Sequence, residues 1–184
     1  MMVKGCRTLL LVAIWCMAVL ATRAQDSLAV VHATQAVAHD TLIVAPDFQM
    51  ETRDGRTLRL QELAAGRADA RASATAAQTL LMFFDPDCSD CRQELFQMRH
   101  SSMLRRAVGE GRLRVVCVNI GADEALWRAT YDELPREWTV AMARSDVHAY
   151  YDLSVTPVLL LMDGQCRISR QSYQFRELLV DLLP

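Results

Sequence analysis

The sequence predicts an α/β domain, and three observations carry that expectation. Apolar runs alternate with helix-like stretches from Leu80 to Leu183, and alternation of this kind argues for a sheet covered by helices. Ahead of them, alternating segments flank an Asp54-Gly55 turn signal between Ala45 and Leu60, the pattern of a β-hairpin. The chain has 184 residues, 52% of them hydrophobic, with no visible internal repeat. That suits one domain with a substantial core.

Taken in order, Lys4 and Arg7 precede the apolar stretch Leu9 to Ala21, and Thr22-Arg23-Ala24 offers small residues at cleavage positions. Residues 1–24 therefore read as a secretory signal peptide. The stretch falls short of the roughly 20 residues that span a bilayer as a helix, and retention as an anchor is the alternative. A lipoprotein reading through Cys16 is weaker, because Ile14-Trp15 is bulky. Residues 25–44 read as a leader and 45–184 as the folded domain. Loss of Lys4, Arg7 and Arg23 makes a chain of net charge −2 more acidic still, which argues against nucleic-acid binding.

Within the domain, Ala64 to Gln78 reads as a short helix or an exposed excursion. Leu80 to Phe84 is a strand and Cys88 to Val108 a helix, with Phe96, Met103 and Ala107 on one stripe and Leu95 and Leu104 beside it. Leu113 to Asn119 is the next strand, after Gly109 and Gly111. A helix over Asp123 to Glu133, a strand over Trp138 to Met142 and a helical turn over Ser145 to Tyr151 follow. Val158 to Met162 and Cys166 to Ser169, split by Asp163-Gly164, form a closing hairpin, and Tyr173 to Leu183 a last helix.

The chemistry centres on Cys88-Ser89-Asp90-Cys91, set directly after the run Thr79 to Phe84. Two thiols at this spacing exchange between dithiol and disulfide. A strand leading in and a helix leading out place Cys88 at a helix N-terminus, where unpaired N–H groups and the helix dipole favour a thiolate. A free thiol titrates near ~8.5 and cysteines in this setting at about 3.5–7.5, so Cys88 is the expected nucleophile. Cys91, one turn on, is the expected resolving thiol. Asp87 and Asp90 oppose the depression of the Cys88 pKa, which leans the pair towards a reductant. Val155-Thr156-Pro157 precedes an apolar strand. Pro157 either starts that strand or sits in a cis peptide, which would turn the Thr156 backbone outward to pair with an extended substrate beside Cys88.

Four segments together resemble the thioredoxin superfamily, in the TlpA/ResA-like branch of extracytoplasmic thiol-disulfide oxidoreductases. They are A-P-D-F…D-G-R-T-L-R-L, F-F-D-P-D-C-S-D-C, R-V-V-C-V-N and T-P-V-L-L-L-M-D-G. The spacing of Trp127, Trp138 and Tyr151-Asp152-Leu153 is similar to thioredoxin-like proteins of Bacteroidota. The resemblance covers the chain from about Ala45 onward. It implies a thioredoxin-like fold, a central mixed β-sheet flanked by helices with an N-terminal β-hairpin extension. It also implies Cys88 as the attacking cysteine, Cys91 as the resolving one, and Pro157 as the cis-proline facing them. Glu94 falls where this branch often has an acid that tunes the pair and relays a proton; the alternative is a solvated first-turn carboxylate favoured by the helix dipole. Exported protein disulfides are the implied substrates, a membrane redox partner the implied electron source, and no cofactor is expected.

The departures from the pattern count too. Met82 stands where thioredoxins carry a buried acid, Asp85-Pro86-Asp87 replaces the usual aromatic lead-in, and Asp90 replaces a common proline. The opening hairpin also resembles peroxiredoxins, but Asp85 stands where these need Thr or Ser. Cys117 reads as a core thiol and Cys166 as partly exposed. Two further classes compete with exchange: a binding module using the Thr156-Pro157 groove, and metal handling through Cys88 and Cys91. A closed zinc site needs four ligands, and the histidines are scattered at 32, 39, 100 and 148. On a continuous helix His100 stands about 18 Å along and about 120° around from Cys88. His100 is therefore read as packed or hydrogen-bonded near the core face and His148 as a surface residue.

Overall fold

The structure, a computed structural model, describes residues 43–66 and 78–182. The expected signal peptide and leader lie outside these residues, as does most of the stretch between Ala64 and Gln78.

The Asp54-Gly55 signal forms the turn it predicts. Gly55 has φ 75°, a conformation that costs glycine little, and the Thr52 hydroxyl donates to Asp54 at 2.6 Å. β1 (Gln49–Thr52) and β2 (Thr57–Arg59) pair antiparallel across it, and α1 (Leu60–Ala64) follows at once. The remaining elements are β3 (Gln78–Phe84), α2 (Ser89–His100), α3 (Ser102–Gly109), β4 (Leu113–Asn119), α4 (Glu124–Asp132), β5 (Thr139–Ala143), β6 (Val158–Asp163), β7 (Ile168–Ser172) and α5 (Phe175–Leu178).

The seven strands make one mixed sheet in the order β2-β1-β5-β4-β3-β6-β7. β3, β4 and β5 run parallel, while β6 and β1 join them antiparallel. β3 and β4 are apolar nearly throughout because both faces of the sheet are covered. Leu80, Met82, Phe84, Val115, Cys117, Leu159 and Leu161 face α2 to α5. Leu81, Phe83, Val116, Val118, Leu160 and Met162 face the N-terminal segment, α1 and Tyr151-Leu153. On this second face Tyr151 lies 4.7 Å from Phe83 and 5.8 Å, edge-on, from Phe48. Arg53, in the hairpin, reaches α4: its guanidinium lies 4.0 Å over the Tyr131 ring and donates to Tyr131 O at 2.6 Å.

Four expectations are corrected. The helix predicted over Cys88 to Val108 is two helices. Ser101, at ψ 114°, ends α2 and caps α3, its Oγ accepting the Leu104 N–H at 3.2 Å, a role that suits serine. The break changes the phase of the buried face. α2 buries Cys91, Glu94, Leu95 and Met98, whereas Phe96 is 55% exposed. His100 is likewise on the surface and not near the core; its Nδ1 lies 2.8 Å from Phe96 O and its ring 4.1 Å from the Phe96 ring. Cys166, expected to be partly exposed, is buried, because Ala45 N–H bonds its carbonyl and Val44 bridges to Arg167, laying the N-terminal segment over it. The last helix is short: α5 gives way to a 3₁₀ turn at Leu179–Leu182.

Candidate active site

The site stands at the C-terminal end of β3, where the chain leaves the sheet through Asp85-Pro86-Asp87. Asp85 shapes this loop: its Oδ1 accepts the Asp87 N–H at 2.9 Å and its carbonyl accepts the Cys88 N–H at 3.1 Å. Arg92 donates to Pro86 O at 2.7 Å from the first turn of α2. Gly121 lies against the loop. A Cβ there would stand 2.6 Å from Asp85 Oδ1, so the close approach requires glycine. The Asn119 side chain holds Gly121 from both sides, accepting its N–H at 2.9 Å and donating to its carbonyl at 3.2 Å.

Cys88 caps α2. Its Sγ accepts the Cys91 N–H at 3.3 Å, and the thiol donates to Thr156 O at 3.5 Å. Burial pushes the Cys88 thiol up, but hydrogen bonds from the Cys91 backbone and thiol, the Thr156 side chain and the Asp90 N–H outweigh it. The thiol ends below its ordinary value. Cys91 is buried, which with the neighbouring Cys88 pushes its thiol up to about 12, the backbone of Asp85 opposing. The two sulfurs are thus unequal, one half-exposed and acidified, the other buried and protonated. Cys117 is pushed up to about 12 and Cys166 to about 11, each chiefly by burial. Met82, in the position of the absent acid, is fully buried beneath the site.

The Thr156-Pro157 peptide is cis, with Pro157 buried and Thr156 half-buried. This segment forms one side of a groove of about 410 Å³ running beside α2, lined also by Asp90, Gln93, Glu94, Gln97 and Tyr173. Glu94 is 8% exposed, which corrects the reading of a solvated carboxylate. Its Oε2 accepts the Phe175 N–H at 2.8 Å, and its Oε1 lies 3.5 Å from the Gln97 amide. The structure thus gathers Cys88, Cys91, Thr156, Pro157 and Glu94 in one place. Sequence reasoning missed Tyr173 and Phe175, which approach from the far end of the chain. Among the described residues no group of three or more His, Cys, Asp or Glu side chains is placed to hold a metal ion.

A strand–Cys-x-x-Cys–helix unit facing a cis-proline, on a mixed sheet covered on both sides, defines a thioredoxin-like fold. Solved structures with the same architecture agree. A conserved protein of unknown function from Bacteroides fragilis superposes with a TM-score of 0.65 at 26% identity, covering 77% of this chain and 97% of its own. A thioredoxin-like protein from Bacteroides caccae gives a TM-score of 0.66 at 18% identity over 78% of this chain and 49% of its own. The thioredoxin domain of a thiol-disulfide oxidoreductase from Bacteroides vulgatus gives 0.61 at 18% identity over 79% and 96%. Neither a family model nor a curated protein sequence matches the chain. The chain has the thioredoxin-like fold.

Proposed function

We propose that the chain is an exported thiol-disulfide oxidoreductase of the TlpA/ResA-like kind, which reduces or exchanges disulfides of other exported proteins. The observation that carries the reading is the inequality of the two thiols. Cys88 as thiolate attacks one sulfur of a client disulfide, the client S–S bond breaks, and the departing client thiolate takes a proton from solvent. Cys91 then loses its proton and attacks Cys88 Sγ, releasing the second client thiol and leaving a Cys88–Cys91 disulfide. Two electrons and two protons have passed to the client. While Cys88 is anionic its charge helps keep Cys91 protonated; in the mixed disulfide that charge is gone, so the order of events is built into the pair.

Several observations support the reading. The groove lined by Val155, Thr156, Pro157 and Tyr173 suits an extended client strand. Solved relatives in fold include a thiol:disulfide interchange protein from a Bacteroides species and thiol-disulfide oxidoreductases from Bacteroides vulgatus and Bacteroides fragilis. Export rests on the N-terminal sequence pattern, and renewed reduction of the pair calls for a membrane redox partner. The test is thiol trapping. Cys88→Ser should abolish exchange with a peptide disulfide, while Cys91→Ser should accumulate a mixed disulfide visible by mass spectrometry. Equal exchange rates in wild type and Cys88→Ser would sink the assignment.

A further inference from the structure

Glu94 lies in the second turn of α2, three residues beyond Cys91, yet its carboxylate is turned inward. A buried carboxylate requires partners, and its main one is the Phe175 N–H at 2.8 Å, from a residue 81 positions away. Phe175 is sunk in the core at 2% exposure. Immediately before it come Tyr173 and Gln174 and immediately after it Arg176, and these three line the groove together with Val155, Thr156 and Pro157. Ser172 closes this segment on itself: its Oγ accepts the Gln174 N–H at 3.0 Å and lies 2.5 Å from a Glu177 carboxylate oxygen. The segment is therefore one unit, and the Phe175–Glu94 hydrogen bond joins it to the helix that carries both thiols. Tyr173 at 47% and Val155 at 59% exposure form its apolar rim.

We propose that Glu94 is a positioning residue: through Phe175 it holds the wall of the groove beside Cys88, and that wall selects polypeptide disulfides over small ones. The proposal rests on the exchange reading and deepens it. An extended client with its reacting sulfur at Cys88 places the residues flanking its cysteine against Tyr173 and Val155. A small disulfide reaches Cys88 without touching that rim. The amide of a glutamine retains the acceptor oxygen, so charge and hydrogen bonding are separable at this position.

The experiment compares the rate constant for a disulfide-linked peptide dimer with that for hydroxyethyl disulfide, in wild type, Glu94→Gln, Glu94→Ala and Tyr173→Ala. The ratio should fall about tenfold in Glu94→Ala, the scale of one buried N–H left without its partner, through KM and not kcat. Glu94→Gln should restore most of it, and Tyr173→Ala, a surface change that leaves folding intact, should lower it too. Equal losses with both disulfides in Glu94→Ala and Glu94→Gln would assign proton transfer instead and overturn the proposal. An unchanged ratio in Tyr173→Ala would overturn it as well, because the wall would then not meet the client. Wild type inert towards both disulfides would refute exchange itself, and the positioning role would fall with it.

Discussion

The lowered pKa of Cys88 comes from N–H groups that α2 cannot use internally. Burial works against the thiolate, but the Cys91 and Asp90 amides point at its sulfur and the net effect is a lowered pKa. Alkylation of Cys88 by iodoacetamide should therefore hold its plateau to lower pH than an ordinary thiol and decline as the pH drops through the lowered pKa. Cys91, pushed up to about 12, should react only in strongly alkaline solution. Mass-spectrometric localisation of the label across a pH series checks both, and a single profile shared by the two thiols would contradict the assignment. Cys88, Cys91 and Pro157 were legible because each belongs to a local pattern, a strand ending in Cys-x-x-Cys or a Thr-Pro before an apolar run. The surroundings of Glu94 were not, since nothing near it in sequence announces the Phe175 N–H. Cys166 misled for the same reason: its cover comes from Val44 and Ala45, on a bridge between segments far apart in the chain.

At the scale of elements, the turn after β4 supports the turn after β3. Asn119 fixes Gly121, and Gly121 admits the Asp85 carboxylate that shapes the loop into Cys88. Gly121→Ala should push that carboxylate away. Overpacking of this kind costs about 1–3 kcal/mol, so we expect a lower melting temperature together with slower alkylation of Cys88. Loss of stability with Cys88 reactivity unchanged would show that the loop does not transmit the change. Ser101→Ala is the contrasting case, removing the α3 cap for about 1 kcal/mol. Denaturant titration should record the loss, with Cys88 alkylated at the wild-type rate. The strands were legible to within a few residues because β3, β4 and β6 are continuous apolar runs. The α2–α3 break escaped the periodicity because the stripe through Phe96, Met103 and Ala107 runs across it, joining an exposed residue of α2 to a buried one of α3. Ser101 was the available signal, a capping residue in mid-run.

For the molecule as a whole, the balance of the dithiol and disulfide states decides the direction of electron flow. The Cys88 thiolate is favoured by hydrogen bonds but opposed by burial. A thiolate stabilised only in part makes the disulfide harder to reduce. The expected potential is near or below about −250 mV, closer to thioredoxin at about −270 mV than to a strong oxidant at about −120 mV. Equilibration against glutathione and dithiothreitol measures it, and a value near the oxidant end would reverse the proposed direction.

The two-sided packing of the sheet has an outcome of another kind. Of the four cysteines among the described residues, three lie within the two cores and only Cys88 meets solvent. A thiol reagent applied to the reduced, folded domain therefore counts one site where the opened chain presents four. The domain carries its own gauge of integrity, since labelling of the last three sulfurs reports the opening of the cores that cover them.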